Sequence, residues 1–201
     1  MQWIIHRWQP EDDMGSSGEG PGVLQLLQKD YARMTNTIDD AGWFKIYLQT
    51  LRNSTFGTVF VYRVLSKSLG RRLRFHLLRL LMILFVPQRK DIELNPLAQI
   101  GEGLIVYHGS GLVVGSGIKA GKNLTLEHGV TLGNRIGSSI DEAFSWPVLG
   151  DNCFIGCGAA VLGPVRIGNN AKVGANAVVL CDVPDNCSAV GIPAKILRYI
   201  A

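Results

Sequence analysis

Val148–Val179 reads "VLGDNCFIGCGAAVLGPVRIGNNAKVGANAVV", and an aliphatic residue recurs in it at every sixth position. Leu149, Ile155, Val161, Ile167, Val173 and Val179 carry the period, and glycine follows four of them at Gly150, Gly156, Gly168 and Gly174. Three residues past the glycine place stand small or branched side chains: Cys153, Ala159, Val165, Ala171, Ala177 and Val183. A helix does not repeat every six residues. A short flat strand followed by a tight corner does, with the aliphatic and the small residue pointing inward and glycine accepting the bend. Three such units close one triangular coil, and coils stack at the interstrand spacing of about 4.8 Å. One unit cannot bury its apolar face alone, so the stack is what is stable. The expected fold is a parallel β-helix of hexapeptide repeats.

Upstream, Val114, Ala120, Leu126 and Leu132 keep the period, with Gly115, Gly121 and Gly133 behind them and Ile118, Leu124 and Val130 at the fifth place. The insertion "NRIGSSIDEAFSWP", Asn134–Pro147, interrupts the repeat, and a two-residue offset at Gly111–Val113 follows "GLIVYHGSG". Loops that leave a β-helix carry binding residues more often than its coils do. Asp141 and Glu142 on the insertion face either an acceptor or water.

Before residue 91 the spacing is helical. "VLQLLQKDYARM" places Val23, Leu26, Leu27, Tyr31 and Met34 on one face. "DDAGWFKIYLQTLRN" opens on Asp residues able to cap a helix and ends at Asn53. "TVFVYRVLSKSLG" and "RRLRFHLLRLLMILFV" read as two further helical pieces, and "MGSSGEGPG", Met14–Gly22, as a flexible loop. The expected organisation is an α-helical region, residues 1–90, followed by the β-helix, residues 91–201.

Composition removes several classes of function. Apolar content of 47% and charged content of 18% describe a globular chain. A net charge of +4 without a recognition motif gives no reason to expect nucleic acid. Cys153, Cys157, Cys181 and Cys187 lack metal-ligand spacing and read as reduced, mostly buried small residues, so no metal is expected. "MQWIIHRWQPEDD" turns acidic before an apolar run develops, so no signal peptide is read and a cytoplasmic protein is expected. Residues 63–90 carry eight Lys or Arg and no Asp or Glu around the apolar run "FHLLRLLMILFV". That run is too short to span a bilayer. It reads as a helix packed in protein or as a peripheral contact with an anionic membrane at its inner face.

The order "HGSGLVVG", "GVTLGN", "IGCGA", "AKVGANAVV", "DVP" and "VGIPAK" resembles the hexapeptide-repeat acyltransferases, in particular the serine acetyltransferase branch. The likeness covers residues 95–198. It implies a left-handed β-helix, acetyl-CoA as co-substrate, and a homotrimer, or a dimer of trimers, with sites between neighbouring prisms. It puts His108 in the place of the family's catalytic histidine. Acetyl transfer to a hydroxyl needs a base for the hydroxyl proton, and an imidazole titrates near neutrality. Glycine-rich corners offer backbone N–H groups to the oxyanion. No enzyme nucleophile is needed, so Cys157 is not assigned one. His128 shares the hexapeptide place of His108 one coil higher and is a secondary candidate, or a bystander on the same face. For CoA, the likeness implies Gly133, Asn134, Arg135, Gly158 and Ala159, with Lys172 and Lys195 for its phosphates.

The departures concern the acceptor. Serine acetyltransferases usually carry Asp before the catalytic histidine, where this chain has Tyr107; another acidic place is filled by Gln99, and Trp146 stands before the loop proline. Gln99, Tyr107 and Trp146 are therefore the acceptor candidates, and the run looks closer to exopolysaccharide and colanic-acid acetyltransferases. The function expected is O-acetylation of a sugar or polysaccharide precursor. Serine O-acetylation is the enzymatic alternative, and a non-catalytic hexapeptide scaffold is the other.

Overall fold

A computed structural model of the chain describes residues 21–37, 42–68, 91–135 and 146–198. Among the described residues three helices precede the strands: α1 Val23–Thr35, α2 Trp43–Arg52 and α3 Ser54–Ser68. Asn53 is the hinge between the last two. Its N–H bonds Gln49 and ends α2, while its side-chain oxygen accepts from the N–H groups of Thr55 and Phe56 and starts α3. Asp39 and Asp40, the expected caps of α2, lie outside the described residues, as do residues 69–90 of the expected basic helix. Among the described residues no helix is long and apolar enough to cross a membrane.

Fourteen of the fifteen strands among the described residues, each two to four residues long, form a three-faced parallel solenoid. Face one stacks β1 (Ile92–Leu94), β4 (Leu112–Val114), β7 (Thr131–Gly133), β10 (Ala160–Leu162) and β13 (Val178–Val179). Face two stacks β2 (Gln99–Ile100), β5 (Lys119–Ala120), β8 (Val148–Leu149) and β11 (Arg166–Ile167), extended by a bridge to Val183. Face three stacks β3 (Ile105–Val106), β6 (Thr125–Leu126), β9 (Phe154–Ile155), β12 (Lys172–Val173) and β14 (Cys187–Val190). The remaining strand, β15 (Lys195–Arg198), runs antiparallel to β14 and covers the last edge.

Every inward-facing repeat position read from the sequence, aliphatic or small, is buried except Ala120, which is half-buried. The structure also adds a coil below the repeat. Leu94, Ile100 and Val106 continue the first place downward, and Ala98 and Leu104 the fifth. The bottom of the stack would expose this core, and the helices close it. Val59 and Tyr62 of α3 join the same apolar cluster, and the Tyr62 hydroxyl donates to the Ala98 carbonyl at 2.9 Å. Burial pushes that phenol up to about 12.

The polar part of the helix contact is equally specific. Arg63, 1% exposed, holds Asp30 through Nε and Nη2 at 2.8 and 2.9 Å and donates to the carbonyls of Ile100 and Gly101 at 2.6 and 2.7 Å. Asp30 in turn accepts from the Leu104 N–H at 2.8 Å. Burial raises the Asp30 carboxyl against the opposing pull of Arg63 and the backbone amides.

Candidate active site

His108 occupies the corner between faces three and one. Six residues separate Leu126 from Leu132 at the same corner one coil up, whereas eight separate Val106 from Val114. The extra two are spent on a tight loop. Gly109 N–H bonds the Tyr107 carbonyl, and Ser110 N–H bonds the His108 carbonyl, at 2.7 and 2.8 Å. The loop is pinned from both sides: Gly111 N–H bonds Asp91 below, and Gly129 N–H bonds Ser110 from above.

The backbone of His108 is left-handed, with φ 61°. Among the described residues, every other non-glycine residue with positive φ is asparagine: Asn36, Asn123, Asn152, Asn170, Asn176 and Asn186. Asparagine and histidine enter this region more often than other non-glycine residues, but neither does so without cost. A residue held where its backbone is disfavoured points to a function for its side chain. His108 is exposed. His128 is exposed directly above it, rings edge-on with centroids 6.2 Å apart and planes at 75°, and its backbone is ordinary. Cys157 is the next residue in this column, and its N–H donates to Glu127 at 2.8 Å.

Beside the column runs a strip without side chains. Gly111, Gly129 and Gly158 stack with φ of 70°, 68° and 68°. A Cβ on Gly111 would stand 3.7 Å from the Gly129 Cα, and one on Gly129 3.4 Å from the Gly158 Cα. The strip carries no side chains along the coils and lies next to the two imidazoles.

Other sequence candidates lie elsewhere on the prism. Gly158 and Ala159 share the histidine corner, and exposed Tyr107 adjoins His108. Gly133, Asn134 and Arg135 leave β7 at the opposite end of face one, with Arg135 packed over Gly163. Lys172 and Lys195 are exposed on face three near the top. Gln99 is exposed on face two, away from His108 within one chain. The Trp146 ring lies flat on Gly115 and Gly117, where any Cβ would collide with it. Trp146 is half-buried there against the core, and residues 136–145 of the insertion lie outside the described residues.

Two residues near the site were passed over in the sequence. Glu93 is the single charged residue among the face-one strands; it is exposed on β1, whose Ile92 packs beneath Gly109. The alternation in "DIEL" marks it as outward-facing. Arg33, from α1, donates to the carbonyls of Gly103 and Leu124 and to the Thr125 hydroxyl. Burial lowers its guanidinium, offset by Tyr107 and Asp30. No sequence signal ties a helix residue to a coil that many residues distant.

Comparison with known proteins agrees with this geometry. The profile for bacterial transferase hexapeptide (six repeats) matches residues 147–181. A serine acetyltransferase of Helicobacter pylori is 44% identical over 106 residues, 53% of this chain and 60% of that protein. The crystal structure of Neisseria gonorrhoeae serine acetyltransferase in complex with serine superposes with TM-score 0.67 at 31% identity, over 86% of this chain and 68% of that one. A serine acetyltransferase in complex with CoA superposes with TM-score 0.67 at 27% identity, over 89% and 71%.

The chain belongs to the serine acetyltransferase family. Within that family of hexapeptide-repeat acyltransferases, it spans 60% of the length of the H. pylori relative. The relatives compared are serine acetyltransferases, and none of them supports the finer likeness to exopolysaccharide acetyltransferases read from the sequence. The match to family structures extends over the helices as well as the solenoid.

Proposed function

We propose that this chain transfers an acetyl group from acetyl-CoA to a hydroxyl, with His108 as general base. The observation that carries the reading is the left-handed backbone of His108 at an exposed corner lengthened by two residues. The neutral imidazole takes the hydroxyl proton as the acceptor oxygen attacks the thioester carbonyl. The C–O bond forms, the C–S bond breaks, and the imidazolium returns its proton to the departing CoA thiolate. The glycine strip suits the pantetheine arm, because Gly111, Gly129 and Gly158 leave no side chain in its way. Lys172 and Lys195 suit the CoA phosphates and Gly133, Asn134 and Arg135 the far end of face one. These sets are separated on one prism, which favours a site completed by a neighbouring chain of a homotrimer. The helical region 1–90 and the solenoid 91–201 act as the two parts of a cytoplasmic enzyme.

L-Serine is the acceptor that the comparisons favour, since the gonococcal relative is described with serine bound. A sugar hydroxyl is the second reading. Tyr107 favours it, because a ring that is 45% exposed beside the base suits a sugar face better than an amino group. Trp146 lends less support, as one of its faces lies on Gly115 and Gly117.

CoA release measured against L-serine, nucleotide sugars and oligosaccharides separates the two acceptors. His108→Asn keeps the backbone preference of the corner and removes the base. The expected loss in kcat is on the order of 100-fold or more, with the oligomer intact. Wild-type turnover in His108→Asn would end the general-base assignment.

A further inference from the structure

Coil stacking leaves one place of the repeat without a side chain. Below the top coil of faces two and three, glycine follows the inward residue at Gly101, Gly121, Gly150, Gly156, Gly168 and Gly174. A Cβ on Gly101 would stand 2.6 Å from backbone of the coil above, and one on Gly121, Gly150 or Gly156 2.9 Å. The exceptions are Tyr107 and Glu127, in the two coils that carry His108 and His128.

Both exceptions are anchored in the ladder. Tyr107 N–H bonds the Leu126 carbonyl, and Glu127 N–H bonds the Ile155 carbonyl. Val106 pairs with Leu126, which sets Glu127 one coil above Tyr107, as His128 is set above His108. The four residues form a block two residues wide and two coils tall, about 4.8 Å from coil to coil. Glu127 Oε2 accepts from the Cys157 N–H at 2.8 Å, which fixes the carboxylate at the corner of the base.

Capping that N–H does not require a glutamate in the glycine place. At the corner after face two, the matching N–H groups of Lys122, Asp151 and Asn169 are taken by shorter side chains of the coil above. Asp151, Asn169 and Asp185 accept them at 2.6, 2.8 and 2.8 Å, and glycine stays at 121, 150 and 168. A carboxylate that holds one N–H keeps lone pairs for further donors.

On the acetyl-transfer reading above, we infer that Glu127 determines acceptor specificity. Its carboxylate accepts from an ammonium or hydroxyl on the carbon next to the attacking oxygen, while His108 takes the proton of that oxygen. Tyr107, 45% exposed directly below, gives the acceptor an apolar floor. The group recognised is one half of an amino alcohol or of a vicinal diol.

Steady-state CoA release by the full chain, with L-serine and with a nucleotide sugar, tests the inference in Glu127→Gln. The amide oxygen still takes the Cys157 N–H, so the variant removes the charge and keeps the corner. For the acceptor, kcat/KM is expected to fall about 10- to 100-fold where the group is an ammonium and about 3- to 10-fold where it is a hydroxyl. The loss falls on the acceptor KM, while CoA affinity by calorimetry and the melting temperature match wild type. Wild-type kcat/KM in Glu127→Gln, where His108→Asn has lost turnover, overturns the inference and leaves the general base standing. A weakened CoA affinity, or a melting temperature lowered by several degrees, makes Glu127 a structural residue and overturns it too. Wild-type protein that turns over no acceptor removes the acetyl-transfer reading and this inference with it.

Discussion

Replacing Arg63 by Met tests how the helices are fastened to the solenoid. The guanidinium makes two bonds to Asp30 at 2.8 and 2.9 Å and two to the carbonyls of Ile100 and Gly101 at 2.6 and 2.7 Å. Arg63→Met leaves a carboxylate that is 0% exposed with the Leu104 N–H but no cation, and leaves two carbonyls without their donor. Breaking a buried pair from one side costs about 3–5 kcal/mol. At about 2–4 °C per kcal/mol for a chain of this size, the melting temperature falls by roughly 6–20 °C. Asp30 is already raised by burial, and without Arg63 it is raised further. The folded variant then binds a proton more tightly than the unfolded chain, so its stability declines as pH rises above the ordinary carboxylate range. The deficit is therefore smaller at pH 5 than at pH 8. Asp30→Asn in the Arg63→Met background removes the stranded charge while its amide oxygen still accepts from Leu104. The double variant is expected to be the more stable of the two. Denaturant and thermal unfolding, with limited proteolysis of α1–α3, read all three proteins. A loss under about 1 kcal/mol in Arg63→Met, or a double variant less stable than the single, refutes the reasoning.

Further outcomes follow from glycine and cysteine environments. A Cβ on Gly101 would stand 2.6 Å from the Gly121 carbonyl oxygen and 2.7 Å from its carbon, backbone that cannot step aside. On Gly133 it would meet Leu162 and Thr131 at 3.5 and 3.6 Å, ordinary contact. Gly101→Ala should lower the thermal midpoint by several degrees and Gly133→Ala leave it nearly unchanged; equal effects would contradict the coil stacking. Burial pushes the Cys153 thiol up to about 12, so it stays protonated at pH 8, whereas Cys181 is exposed. Iodoacetamide on the native protein should alkylate Cys181 and spare Cys153, as peptide mass spectrometry would show. Early labelling of Cys153 would count against the packing of the β8–β9 corner.

The solenoid was legible in the sequence because its information is local. Each of Leu149, Ile155, Val161, Ile167, Val173 and Val179 reports the same geometry, and all are buried in the structure. The lowest coil was harder to read, since the two residues added at the His108 loop shift Leu94, Ile100 and Val106 out of the counted register. His108 stood out through its surroundings, but its left-handed backbone did not, because φ is a property of the closed coil. Glu93 and Arg33 were missed for the same reason: one lies a coil away and the other arrives on a helix.

By itself, then, the sequence determined the inward ladder, the corners, the three-sided stack and the histidine that interrupts it, all consequences of a six-residue period. Tertiary structure alone decided where the helices land. Arg63 finds its carbonyl partners 37 and 38 residues further on, and Trp146 finds its bed on Gly115 and Gly117. It also decided which side of α2 faces water. The apolar arc of that helix would pass in sequence for a core face, and only the packing of Ile46 and Thr50 shows that the burial falls on the strip beside Trp43 instead. Periodicity states which residues share a face; the free energy of burial acts on whichever face the rest of the chain covers.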